Sequence, residues 1–158
     1  GRIRGAVRRV VRGLTPEDLA ARVDDGANSI GWLIWHLTRV QDDHLADVAE
    51  SDQVWTDAGW FERFKLPFPA SVTGFGHSSN EVAQVAGITA ELLIGYHEAV
   101  HDRTVQFLRG VDDAELGRVV DTSWDPPVTL GVRLVSVIAD DLQHVGQAAF
   151  VAGMLSRR

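Results

Sequence analysis

Residues 129–155 form an apolar run that no proline interrupts, and over that length the run reads as one helix. Pro126 and Pro127 precede it, and Thr129 is placed to cap its first turn. Val137, Asp140, His144, Ala148 and Val151 recur at three- and four-residue spacings, so they share one helix face. That face is otherwise apolar. A carboxylate and an imidazole one turn apart on such a face need a partner, because a buried charge is either paired or bound to a metal. Two readings stand: an Asp140–His144 hydrogen-bonded pair, or two ligands of a metal whose other ligands come from another helix.

The rest of the chain gives that helix its surroundings. A length of 158 residues predicts a single domain, spanning 1–158, with a real hydrophobic core. Apolar residues make up 45% of it, which excludes a disordered chain. The net charge of -7 argues against nucleic acid and anionic membranes as partners. No apolar stretch reaches the length of a membrane span. There are no cysteines, which removes disulfides, thiolate zinc sites and a cysteine nucleophile, and fits a cytoplasmic protein.

Residues 3–14 read as a basic amphipathic helix, with Ile3, Ala6, Val7, Val10 and Val11 as its stripe and a solvated arginine face. Thr15-Pro16-Glu17-Asp18 carries the signals of a short capped helix. A second long helix is expected over 29–50. Trp32, Leu33, His36, Leu37 and Val40 line its apolar face, while Arg39, Asp42, Asp43 and Asp47 are expected on a solvated one. His36 is either a hydrogen-bonded core histidine or a ligand.

Residues 51–80 have no clear period and predict a long aromatic loop, a lid or pocket wall on one reading and gap packing on the other. His77 belongs to it. A third long helix is expected over 81–109. It contains His97-Glu98-Ala99-Val100-His101, which matches the His-Glu-x-x-His zinc-peptidase spacing. No third ligand or substrate-binding strand accompanies the match, so His97 and His101 are assigned to an interface or the surface. With no convincing strand, the expected fold class is all-α: a four-helix bundle with the aromatic loop between its second and third helices.

His36 in Gly31-Trp32-Leu33-Ile34-Trp35-His36-Leu37, followed far downstream by His144-Val145-Gly146-Gln147, resembles the DinB/YfiT-like bundles, a superfamily of bacterial metal-dependent enzymes. Gly74-Phe75-Gly76-His77 resembles a loop of an actinobacterial branch. In that family a histidine on the second helix joins two ligands four residues apart on the fourth. The resemblance therefore implies His36, Asp140 and His144 as metal ligands. It also implies homodimers, and thiol chemistry of the kind found in the related mycothiol-dependent maleylpyruvate isomerases and thiol S-transferases. The first fourth-helix ligand is usually His, or Glu in those isomerases. Here it is Asp140, whose shorter reach bears on metal affinity and identity.

Two imidazoles and one carboxylate leave a divalent ion with net charge about +1 and open positions, the pattern of a catalytic site. Zn, Ni, Fe and Mn all remain open. An open position could activate water, as in a hydrolase, or an external low-molecular-weight thiol, as in a transferase or isomerase. A non-catalytic bundle that binds a small molecule is the third reading. Gln147, three residues beyond His144, is placed to orient a ligand or substrate, and Trp32 and Trp35 to wall the pocket. His36, Asp140 and His144 are expected to converge on one ion about 2.0–2.2 Å from each.

Overall fold

Serine and threonine side chains set most of the helix starts. In the computed structural model, which describes residues 1–157, Thr15 and Asp18 form a reciprocal capping box at the head of α2 (Pro16–Ala20). Ser29 accepts from the Trp32 N–H and opens α3 (Ile30–Val48). Thr129 accepts from the Val132 N–H and opens α9 (Leu130–Leu155). Each such cap satisfies an otherwise orphaned amide and contributes about 1 kcal/mol. α1 (Arg2–Val11) precedes them.

The long helices bury each other's apolar stripes. α3 and α9 share the largest interface, α3 also packs on α7 (Ala90–Leu108), and α1 packs on both α7 and α9. The core between them gathers Val7, Val11, Leu33, Ile34, Leu93, Val100, Val145, Ala148 and Val151, all buried. A smaller cluster of Leu45, Val48 and Leu130 lies beside it, with Phe107 and Leu134 packed against it.

Three expectations are corrected here. The third long helix is broken: α6 (Ser79–Gln84) ends at Val85, and α7 starts afresh. Gly87 takes a left-handed φ of 70° between them, and Thr89 caps α7 by accepting from Leu92 N–H. The 51–80 segment is not a bare loop. It holds α4 (Val54–Asp57) and α5 (Trp60–Phe64), and Trp55, Trp60 and Phe64 pack with ring centroids 5.0, 5.8 and 5.8 Å from Tyr96 of α7. A small antiparallel pair is also present, β1 (Val119–Asp121) with β2 (Val128–Thr129), after the short α8 (Asp113–Leu116). Arg133 of α9 ties down that pair through an ion pair to Asp121 at 2.8 Å.

Two further corrections concern charge. Arg39 and Asp42, expected on a solvated face, are 0% and 1% exposed. The 51–80 segment folds over that side of α3, and the pair survives burial because its hydrogen bonds are filled. Asp42 accepts from the Val54 and Trp55 N–H groups at 2.9 and 2.8 Å and from the Tyr96 hydroxyl at 2.8 Å. His97 is likewise buried rather than at the surface. Its Nδ1 lies 3.3 Å from Thr38 Oγ1, whose own proton goes to Ile34 O.

A candidate metal centre between α3 and α9

His36 faces α9 from the second turn of α3, while Asp140 and His144 face α3 from the middle of α9. Each offers one ligand atom, and these atoms lie within 4.8 Å of one another. The His36 and His144 rings are 4.9 Å apart at 74°, and His144 Nε2 is 3.5 Å from Asp140 Oδ1. Among the described residues no other group of three His, Cys, Asp or Glu side chains meets this condition.

Hydrogen bonds on the far side of each imidazole fix which nitrogen faces the centre. His36 Nδ1 is 2.7 Å from the Thr73 carbonyl oxygen. A carbonyl only accepts, so Nδ1 carries the proton and Nε2 keeps its lone pair. His144 Nδ1 is 3.0 Å from Gln147 Oε1, which sets the same tautomer from within α9. Such outer hydrogen bonds orient imidazole ligands at metal sites generally.

The electrostatics suit a cation. Burial lowers the pKa of His36, and the Thr73 bond and the His144 charge modify that in opposite directions. Close contact with His144 lowers the pKa of Asp140, and close contact with Asp140 raises that of His144. Asp140 is therefore ionised at neutral pH. Its Oδ2 is nonetheless buried without a hydrogen-bond partner. A carboxylate oxygen withdrawn from water with no donor is costly unless a cation completes it. The donor set and this orphaned oxygen together fit a divalent ion.

The surrounding wall is aromatic. Trp32 stacks on His36 with centroids 4.5 Å apart and meets His144 edge-on at 6.3 Å. Its indole N–H donates to His77 Nδ1 at 3.2 Å, so His77 reaches Trp32 rather than the ligand cluster. Trp35 packs against both Phe68 and His77, whose ring centroids are 4.7 Å apart. At Gly74 (φ 95°) there is no room for a side chain: a Cβ there would sit 2.9 Å from both His36 Nδ1 and Trp35. Only glycine lets the loop lie flat on His36. His97 and His101 lie outside the centre, and the Glu98 between them pairs with Arg8. Reading along the sequence missed the Thr73 carbonyl, because a backbone acceptor carries no side-chain signature. Gly74 marked the place.

Residues 2–148 match the DinB superfamily model. No curated protein matches the chain. A crystal structure of a conserved protein from Enterococcus faecalis superposes with a TM-score of 0.92 at 29% identity, covering 99% of this chain and 92% of that one. With the family model spanning nearly all of its length, the chain belongs to the DinB superfamily.

Proposed function

We propose that the chain is a metal-dependent enzyme in which His36, Asp140 and His144 hold one divalent ion and a low-molecular-weight thiol, of the mycothiol kind, is the cosubstrate of a transfer or isomerisation. The observation that carries the metal is the pairing of two imidazoles of fixed tautomer with the buried, unpartnered Asp140 Oδ2. An ion held there supplies Lewis acidity, which lowers the pKa of a neutral nucleophile. The protein contains no cysteine, so a sulfur nucleophile has to come from outside. Trp32 walls the ligand side and shields His36 from water. Gln147, on the exposed side of α9, holds the His144 ring in place. In this reading α1, α3, α7 and α9 are the four helices of a single-domain bundle of the DinB type, and the aromatic segment is its pocket wall.

The test is elemental analysis of protein purified without a histidine tag, followed by an electrophile screen with and without added thiol. Near-stoichiometric metal and turnover that needs both metal and thiol are expected. Turnover with metal but no thiol would replace this reading with hydrolysis. Binding of small molecules without turnover would replace it with a non-catalytic role.

The partners in this reading are a small-molecule substrate and a second copy of the chain. No described helix is long and apolar enough to cross a membrane. The exposed apolar side chains concentrate on α9, where Val135 and Phe150 are 66% and 67% exposed, with Val132 and Ile138 beside them. Such a face is suited to an isologous contact across a two-fold axis. Sedimentation at micromolar concentration is expected to give a homodimer, and a monomer there removes this part of the proposal. The absence of cysteine is consistent with a cytoplasmic setting.

A further inference from the structure

Arg39 sits one turn beyond His36 on α3 and is wholly buried. Its guanidinium reaches the same short stretch of backbone that His36 does. Arg39 Nε donates to Val72 O at 3.3 Å and Nη2 to Ala70 O at 3.0 Å, while His36 Nδ1 donates to Thr73 O at 2.7 Å. One arginine and one histidine from adjacent turns thus bind three carbonyls within four residues. Residues 70–74 carry no helix or strand bonds of their own, only turn bonds from Val72 N–H to Pro69 O and from His77 N–H to Gly74 O, so these side-chain contacts tie the segment to α3.

The arginine is itself held from behind. Nη1 donates to Gln53 Oε1 at 2.7 Å and to the Tyr96 hydroxyl at 3.3 Å, and the cation lies over the Trp55 ring. Asp42 supplies the opposing charge at 3.8 Å and also accepts from Tyr96 and from the first amides of α4. A planar guanidinium with all three of its nitrogens hydrogen-bonded is a rigid fork. Nothing in the ligand set touches it, and it is too deeply buried to meet a substrate.

We infer that Arg39 is a positioning residue for the metal centre: by clamping the Ala70 and Val72 carbonyls it presents the Thr73 carbonyl to His36 and so selects the His36 tautomer whose Nε2 is free to bind the ion. The inference rests on His36 being a ligand, but its first link, from Arg39 to the His36 tautomer, exists without any metal. A free neutral imidazole in water favours the opposite tautomer, with the proton on Nε2. Loss of the Thr73 acceptor therefore removes a bias that the site needs before the ion arrives. His144 provides an internal reference, because Gln147 on its own helix fixes its tautomer and the clamp does not reach it.

The experiment is long-range 1H–15N NMR of the histidine rings in metal-free protein, at a pH where His36 is neutral, combined with Zn2+ and Co2+ titration. Wild type is expected to show the Nδ1–H form of His36. Arg39→Met is expected to shift His36 toward the Nε2–H form, leave the His144 signals in place, and weaken metal binding 10- to 100-fold. Arg39→Lys, which keeps the charge opposite Asp42 but cannot fork to two carbonyls, is expected to fall between. Should Arg39→Met not fold, Arg39→Lys carries the test of the clamp, and Gly74→Ala, whose Cβ would sit 2.9 Å from His36 Nδ1, tests the link from the Thr73 carbonyl to the His36 tautomer. An unchanged His36 tautomer in Arg39→Met and Gly74→Ala overturns the inference. So does an equal disturbance of His36 and His144, which marks general loosening. If wild type binds no metal yet the tautomer still follows Arg39, the clamp stands and the metal reading fails.

Discussion

Replacing Asp140 with alanine is expected to abolish stoichiometric metal binding while leaving the helices folded. The two consequences for stability have opposite signs. Alanine exceeds aspartate in helix propensity by up to about 0.7 kcal/mol in the interior of a helix such as α9. The substitution also removes a carboxylate oxygen that is buried without a donor, relieving a desolvation cost. Against this stands the 3.5 Å contact to His144, part-exposed on both sides and worth about 0–1 kcal/mol. Metal-free Asp140→Ala is therefore expected to melt at or above the temperature of metal-free wild type. Metal-loaded wild type gains about 4 kcal/mol at a free ion concentration near 1,000 times Kd, and the mutant gains nothing. Asp140→His restores three imidazoles, raises the charge of the site by one and is expected to bind metal with altered preference. Metal content and melting temperature of the three proteins, with and without chelator, decide the matter. Equal metal content in all three would take Asp140 out of the ligand set.

Periodicity puts His36, Asp140 and His144 on apolar helix faces, but it leaves a core histidine and an Asp–His pair open, and only the resemblance to the DinB family implied them as one ligand set. The caps at Thr15, Ser29 and Thr129 were legible because a hydroxyl at the N-cap is read locally. The break between α6 and α7 carried local signals too, in Gly87 and Thr89, but the apolar positions on either side continue a helical spacing and mask it. Arg39 and Asp42 were not legible. Their neighbours Asp43 and Asp47 give that side of α3 the composition of a solvated face, and only residues 53–55 and 70–72, folding back over it, make the pair a buried one. His97 is a different case. It lies four residues after Leu93 and three before Val100, both core positions in the structure, so helical spacing from them places it in the interior. The match to a peptidase spacing drew attention to its chemistry instead of its packing.

His97 is expected to control part of the acid sensitivity of the fold. Burial lowers its pKa to about 4, helped by the neighbouring His101 and Arg4 charges, against 6.5 for an unperturbed histidine. Thr38 gives its hydroxyl proton to Ile34 O, so its oxygen has to accept from His97 Nδ1–H, which a neutral ring satisfies. Between pH 6.5 and 4 the unfolded chain takes up a proton that the folded one refuses. The stabilisation is thus fully present above about pH 6.5 and declines as pH falls toward 4, by about 3 kcal/mol in all. Gln at this position keeps a donor for Thr38 and cannot titrate. His97→Gln is expected to cost about 1 kcal/mol at pH 7.5 from imperfect packing. Its stability is then expected to fall less steeply with acid, so the two curves cross near pH ~6 and the mutant is the more stable protein at pH 4. His36 and His44, whose pKa values burial also lowers, add to the acid limb of both proteins and largely cancel in the difference. Urea unfolding of the two proteins at intervals from pH 4 to 7.5, in the presence of chelator, measures that difference directly. A difference that does not vary with pH would mean that His97 takes up its proton equally well in the folded and unfolded chain.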